Sequence, residues 1–199
     1  MHPKIIFLLW IIGNFGDAAL TLPLVLVCAL WLRSVEKRLA IIWTLSLAGG
    51  MALVGLSKIL YAGCGLELSA INFRMISGHT MLAASVYTVA GGLLLAGFGS
   101  NWYRLGAVGG MLFAAVIGVS RVLTNAHSTA EVIAGWLLGT AIAVSLLIRV
   151  FQQPRTMPRA VVAGVALLAV STLAYGHHAP FQAMIERYSW WVCKGLGIE

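Results

Sequence analysis

Charge is what this sequence has least of. Only 10% of its 199 residues are Asp, Glu, Lys or Arg, and just 6 are acidic, while 60% are hydrophobic. A water-soluble domain of this length needs a much richer charged surface, so that class is excluded. The 13 Lys and Arg residues give a net charge of +7, but they are scattered between apolar runs. Nucleic acid as a partner would want them gathered on one solvated face, and is excluded with them. Cysteine is scarce too: there are 3, and no Cys/His pattern has the spacing of a zinc site. Cys28 lies within an apolar run and reads as a small core hydrophobe. Cys64 and Cys193 fall on the same expected side of the membrane, which leaves a disulfide between them open. No internal repeat or low-complexity tract stands out.

What is abundant is apolar sequence in runs of membrane-spanning length. The expected fold is all-α: an integral membrane six-helix bundle, one transmembrane domain over residues 1–199, with short interfacial helices at both ends. The spans are expected at about 18–32, 39–60, 78–98, 104–121, 129–149 and 160–177. Residues 3–13 are apolar but too short to span, and fit the interface. No small-x-small cleavage site follows them, so the segment is expected to be retained. Asn14, Gly16 and Asp17 interrupt the run, and Asp17 is placed to cap the next helix. Residues 180–199 read as an interfacial tail, with Trp190 and Trp191 suited to the headgroup level.

Arg33, Lys37, Arg38, Arg104, Arg149, Arg155 and Arg159 all fall in the first, third and fifth connections, against one acid, Glu36. By the positive-inside rule those connections are cytoplasmic. The second and fourth, with both termini, then face outward. Lys58, Arg74, His79, Arg121, His127 and Glu131 all reach that outer end. Gly106 and Gly110, and Gly135 and Gly139, form small-xxx-small pairs that let the fourth and fifth spans pack closely.

Two stretches at the outer end carry chemistry. In the first, Ser120 to Glu131, Arg121 offers a planar fork of donors for a phosphate or carboxylate, and His127 can be a nucleophile or proton carrier near neutral pH. Glu131 follows His127 by four residues, one helical turn on the same face. There it can hold one imidazole nitrogen while the other faces a substrate. Ser128 and Glu131 are equally the pattern of a capping box, a routine helix start. In the second stretch, Ser77-Gly78-His79 opens the third span. Free N–H groups at that helix start favour an anion, Ser77 can cap the helix, and Gly78 permits close backbone approach. Neither explains His79, an ionisable side chain in a membrane segment. His177 and His178, at the end of the sixth span, read as snorkelling interfacial residues or as the lining of a substrate entrance.

Ser77-Gly78-His79 and Ser120-Arg121, His127 and Glu131 together resemble two signature motifs of the type 2 phosphatidic acid phosphatase superfamily, Pro-Ser-Gly-His and Ser-Arg-x5-His-x3-Asp. The resemblance implies a lipid phosphatase that needs no cofactor or metal. In it His127 attacks phosphorus, Glu131 orients it, and His79 protonates the leaving group and later activates water. Ser77, Gly78, Ser120, Arg121 and Lys58 would hold the phosphoryl group. The family's first motif, Lys-x6-Arg-Pro, is broken: Gly65 stands seven residues after Lys58. Arg74 either supplies the missing guanidinium or is an interfacial arginine. Ile76 stands where the motif has proline, and Glu131 where it has aspartate.

The resemblance also implies a bacterial inner-membrane location with the site facing the periplasm or exterior. The implied substrate is a lipid phosphate or diphosphate, undecaprenyl diphosphate foremost, drawn from the surrounding membrane lipids. A phosphotransferase with the same residues is a second reading. A lipid-phosphate-binding or translocating protein without turnover is a third. Oligomeric state is not legible.

Overall fold

The computed structural model describes residues 3–99, 101–152 and 157–195. Its elements, in order, are α1 (Pro3–Asn14), α2 (Ala18–Val35), α3 (Lys37–Cys64), a 3₁₀ turn (Ser69–Ile71), α4 (Gly78–Ala96), α5 (Tyr103–Leu123), α6 (Thr129–Val150), α7 (Ala160–Ala174) and α8 (Phe181–Gly195). There is no strand among the described residues, and the architecture is a helical membrane bundle. Five segments are long and apolar enough to cross a membrane: Pro3–Val35, Lys37–Cys64, Gly78–Ala96, Tyr103–Leu123 and Thr129–Val150. Their outward faces are studded with exposed leucines and valines, such as Leu45, Leu112 and Leu137. Lipid, not water, is the solvent such faces suit.

The expected sixth span differs. α7 stops at Ala174, because Tyr175 turns extended and Gly176 adopts φ 84°. Its 15 residues span about 22 Å, less than the ~30 Å hydrocarbon core. α1 and α2 form one apolar stretch, bent where Phe15, Gly16 and Asp17 leave helical geometry. α3 runs on to Cys64, where Gly65 at φ 68° caps it. Pro154, Arg155 and residues 196–199 of the expected loop and tail lie outside the described residues.

The centre of the bundle is α4, where Ala83, Ala84, Val86, Val89 and Leu93 are fully buried, together with Thr80, Ser85 and Thr88. It packs most extensively on α5 and α6. Glycine makes this possible. A Cβ on Gly106 or Gly110 of α5 would strike the α4 backbone at Gly91 or Tyr87. On α6, a Cβ on Gly135 would strike the Ser77 carbonyl, and one on Gly139 the Met81 carbonyl. Close helix approach at such positions replaces the hydrophobic drive that lipid cannot supply. The same contacts set the start of α4 against the start of α6. α8 lies on α3, with Gly63 against the Ser189 backbone and a disulfide joining Cys64 to Cys193.

At one end of the bundle Trp31 Nε1 donates to the Pro158 carbonyl, and Tyr103 stacks on Phe151. Arg33, Lys37, Arg38, Arg104, Arg149 and Arg159 belong to that end. The opposite end gathers the start of α2, the end of α3, the start of α4, the end of α5 and the start of α6.

Candidate active site

The α5–α6 connection is short and tightly folded. Asn125 takes φ 57°, and the amides of Ala126 and His127 both donate to the Arg121 carbonyl, at 2.9 and 3.2 Å. α6 then opens with a complete capping box: Glu131 N donates to Ser128 Oγ at 3.3 Å, and Ser128 N to Glu131 Oε2 at 3.1 Å. The same Oε2 lies 2.7 Å from His127 Nδ1. One carboxylate thus completes the capping box and contacts His127.

Glu131 is wholly buried, at 0% exposure. A carboxylate there is tolerable only when donors surround it. Its other oxygen, Oε1, accepts from Arg74 N at 3.0 Å and Arg74 Nε at 3.2 Å. Arg74 arrives on the 65–77 loop, whose C-terminal end is pinned by Ile76 N on Ser57 Oγ (3.0 Å) and Ser77 N on the Glu131 carbonyl (3.1 Å). The Arg74 guanidinium also lies over the Tyr61 ring, 5.6 Å from its centroid.

His127 is largely buried, and burial holds its pKa below the ordinary imidazole value. The bond to Glu131 and its charge oppose that, while Arg121 and Lys58 reinforce it. With Nδ1 occupied by the carboxylate, Nε2 is the nitrogen left for a reacting partner. A polar cleft of about 310 Å³ opens beside it, between Glu67, Asn72, Arg74, Asn125 and Ser128.

His79 sits in the first turn of α4, its Nε2 3.6 Å from Asp17 Oδ2, an ion-pair distance. Arg121 and Lys58 act electrostatically on both histidines. His79, Lys58 and Asp17 form the polar part of a cavity of about 230 Å³, which is otherwise apolar, with Met51, Val54 and Leu82 in its wall. Arg121 Nε is buried and finds no hydrogen-bond partner among the described residues. An orphaned guanidinium donor is costly unless an anion completes it.

The two serines are less free than the motif alone implies. Ser77 occupies the N-cap position but makes no side-chain cap bond; its hydroxyl pairs with Thr80 Oγ1 at 3.0 Å. Ser120 Oγ donates to the Ile117 carbonyl at 2.6 Å. A Cβ on Gly78 would approach Val54 Cγ1 to 3.3 Å, so this glycine serves helix packing as well. Among the described residues, no three His, Cys, Asp or Glu side chains are grouped to hold a metal ion.

Asp17 is the residue sequence reasoning undervalued. It caps α2, accepting from Ala19 N at 2.8 Å. It also receives Ala179 N at 3.0 Å and His178 Nδ1 at 3.2 Å, besides facing His79. The available signal was an acid, one of 6, inside an otherwise apolar stretch. His178, read as a snorkelling residue or as lining of a substrate entrance, is thus tied to Asp17.

A family model described as "PAP2 superfamily" matches residues 60–156. That stretch contains Arg74, His79, Arg121, His127 and Glu131, but neither Asp17 nor Lys58. The "Uncharacterized 22.5 kDa protein in cps region" of Klebsiella pneumoniae is 34% identical over 183 residues, covering 88% of this chain and 87% of that protein. No solved structure matches the chain.

Proposed function

Because the chain belongs to the PAP2 superfamily, a family of phosphatases, we propose that it hydrolyses a lipid phosphate or diphosphate through a phosphohistidine on His127. The observation that carries this reading is the 2.7 Å contact between His127 Nδ1 and the buried Glu131 carboxylate. It fixes the imidazole tautomer with Nε2 unprotonated, the form a nucleophile needs.

In the first step Nε2 attacks phosphorus and the bond from phosphorus to the leaving oxygen breaks. His79 gives that oxygen its proton. Glu131 balances the positive charge that His127 acquires. Arg121, Lys58 and the amides at the start of α4 receive the charge growing on the phosphoryl oxygens. In the second step neutral His79 takes a proton from water, the oxygen attacks phosphorus, and the P–N bond breaks. Inorganic phosphate leaves and His127 is restored. The chemistry needs no metal ion. Arg74 has Nε on Glu131, and its remaining guanidinium nitrogens supply the phosphoryl contacts that the broken first motif lacks.

An amphiphilic substrate suits the cavity beside His79, polar at one end and apolar at the other. Undecaprenyl diphosphate or a related phospholipid phosphate has that character. Outward orientation draws support from two independent features. Basic residues crowd the opposite end of the bundle, and the Cys64–Cys193 disulfide, at the site end, belongs to an oxidising compartment. That matches the outer face of a bacterial inner membrane.

The polar cleft over His127 also admits the hydroxyl of an acceptor lipid, which makes phosphoryl transfer the second reading. The test is phosphate release by detergent-purified protein with a chelator present. Undecaprenyl diphosphate, phosphatidate and phosphatidylglycerophosphate would each be offered, with and without acceptor lipid, and His127→Ala as control. Chelator-resistant release that is lost in His127→Ala is the expected result. A phosphorylated acceptor lipid formed without free phosphate would favour transfer. Binding of a lipid phosphate without turnover would overturn both.

A further inference from the structure

Asp17 stands outside the residues matched by the family model, yet it joins three parts of the chain at the site. Its Oδ1 accepts from the amides of Ala19, in its own helix, and Ala179, before α8. Its Oδ2 faces His79 Nε2 on α4 and His178 Nδ1. The carboxylate is 9% exposed, so these contacts are only weakly screened. The elbow that presents it is itself seated on His79: a Cβ on Gly16 would lie 3.0 Å from His79 Cβ and 3.1 Å from the His79 carbonyl. Backbone and side chain of the elbow thus converge on one histidine.

We infer that Asp17 is the positioning residue for His79, doing for the acid–base histidine what Glu131 does for the nucleophile. Two carboxylate–imidazole pairs then face the phosphoryl group. Glu131 holds His127 by Nδ1 and leaves Nε2 to attack; Asp17 holds His79 by Nε2 and leaves Nδ1 to exchange protons. The other charged groups acting on His79 are Arg121 from α5 and Lys58 from α3, both cations. Asp17 is therefore the anion that lets His79 carry its proton between the two steps without repulsion from those neighbours. The split of Oδ2 between His79 and His178 also links the entry to α8 with the acid–base group.

This rests on His79 being the acid–base residue of the proposed reaction, and the experiment separates the two claims. Asp17→Asn keeps a carbonyl oxygen for the amides of Ala19 and Ala179 and replaces the charged Oδ2 that faces His79 and His178 by an NH₂ that cannot accept from them. Asp17→Ser keeps an N-cap acceptor for Ala19 and serves as a second variant. Phosphate release would be measured for Asp17→Asn, His79→Ala, the double variant and His127→Ala, each checked by thermal unfolding in detergent. The expected result is a kcat lowered about tenfold to a hundredfold, part of what general acid–base catalysis contributes, with KM changed by less than about threefold. In the His79→Ala background Asp17→Asn should cost nothing more, since residues acting through one another are not additive. A wild-type kcat in folded Asp17→Asn overturns the inference. So does a full additional loss in the double variant, or failure of both Asp17 variants to fold, since each makes Asp17 merely structural. A wild-type kcat in His79→Ala would instead sink the assignment of His79 beneath it.

Discussion

Replacing Glu131 by glutamine tests the centre of the site with almost no change of shape. The carboxylate receives four donors: His127 Nδ1 at 2.7 Å and Ser128 N at 3.1 Å on Oε2, Arg74 N at 3.0 Å and Arg74 Nε at 3.2 Å on Oε1. A carboxamide has one accepting end, so two of the four must lose their acceptor whichever way it turns. If the NH₂ faces Arg74, two N–H groups meet a donor. If it faces His127, Nδ1 must become the acceptor and the proton moves to Nε2, the nitrogen meant to attack. Hydrogen bonds to a charged group are worth about 1.5–3 kcal/mol each, so the loss is about 3–6 kcal/mol. At 1.36 kcal/mol per decade, the ceiling on the rate effect is a factor of about 10²–10⁴.

The two orientations leave different signatures. Loss on the Arg74 side appears mainly as a lowered unfolding temperature, and loss on the His127 side as a lowered kcat. KM should change little when the His127 side is lost, because Glu131 is fully buried and does not meet the substrate, and should rise when the Arg74 side is lost, because Arg74 contributes phosphoryl contacts. The assay is phosphate release from mixed micelles, paired with thermal unfolding in the same detergent. Glu131→Asp, which restores the family's usual residue and shortens the arm by one methylene, should fall between wild type and glutamine. Folded Glu131→Gln with kcat within threefold of wild type and an unchanged unfolding temperature would refute the reasoning.

Arg74→Ala should lower kcat/KM by on the order of 10²-fold, and Arg74→Lys should not restore it, because a single ammonium cannot reach both Glu131 and phosphate; unchanged kinetics would return Arg74 to the interface. Since burial holds the His127 pKa below the ordinary 6.5, its neutral, nucleophilic form persists as pH falls through that value. The acid limb of kcat/KM should accordingly lie below pH 6.5, and further down in Glu131→Gln, where the opposing carboxylate is gone; an acid limb above the ordinary value would contradict this. Gly135→Ala pushes a methyl group into the Ser77 carbonyl and should cost about 1–3 kcal/mol of stability together with activity. Gly49→Ala, which meets open space, should unfold at nearly the wild-type temperature.

How much of this could be read from the chain depends on how far apart the partners lie. His127 and Glu131 share one helical turn, so their spacing announces both the capping box and the contact. Ser77-Gly78-His79 marks a helix start by its own chemistry, and the glycine pairs of α5 and α6 announce close packing at their own positions. Arg74 is different. The 65–77 loop has no periodicity, and only the fold brings it 57 positions forward in sequence onto Glu131. Asp17 is the extreme case: its cap to Ala19 is local and was legible, but Ala179 is 162 positions away. The sixth span is expected to run to 177, but Tyr175, Gly176, His177 and His178 do not continue the apolar run, and the helix stops at Ala174. Cys64 and Cys193 could be placed on one side of the membrane, but only the docking of α8 on α3 brings them together.

The covalent link between Cys64 and Cys193 also turns the middle of this protein into a closed ring. The two residues are 129 positions apart, so α4, α5, α6 and α7 all lie within it, and with them Arg74, His79, Arg121, His127 and Glu131. Asp17 and Lys58 reach in from the chain before the ring begins. A protease nick anywhere inside the ring, for example at the connection between α6 and α7, would open the loop without releasing a fragment. Such a nicked molecule would run as one species on a non-reducing gel and as two after reduction. Its reacting histidines and Glu131 would stay within the Cys64–Cys193 segment, while Asp17 and Lys58 reach them from outside it.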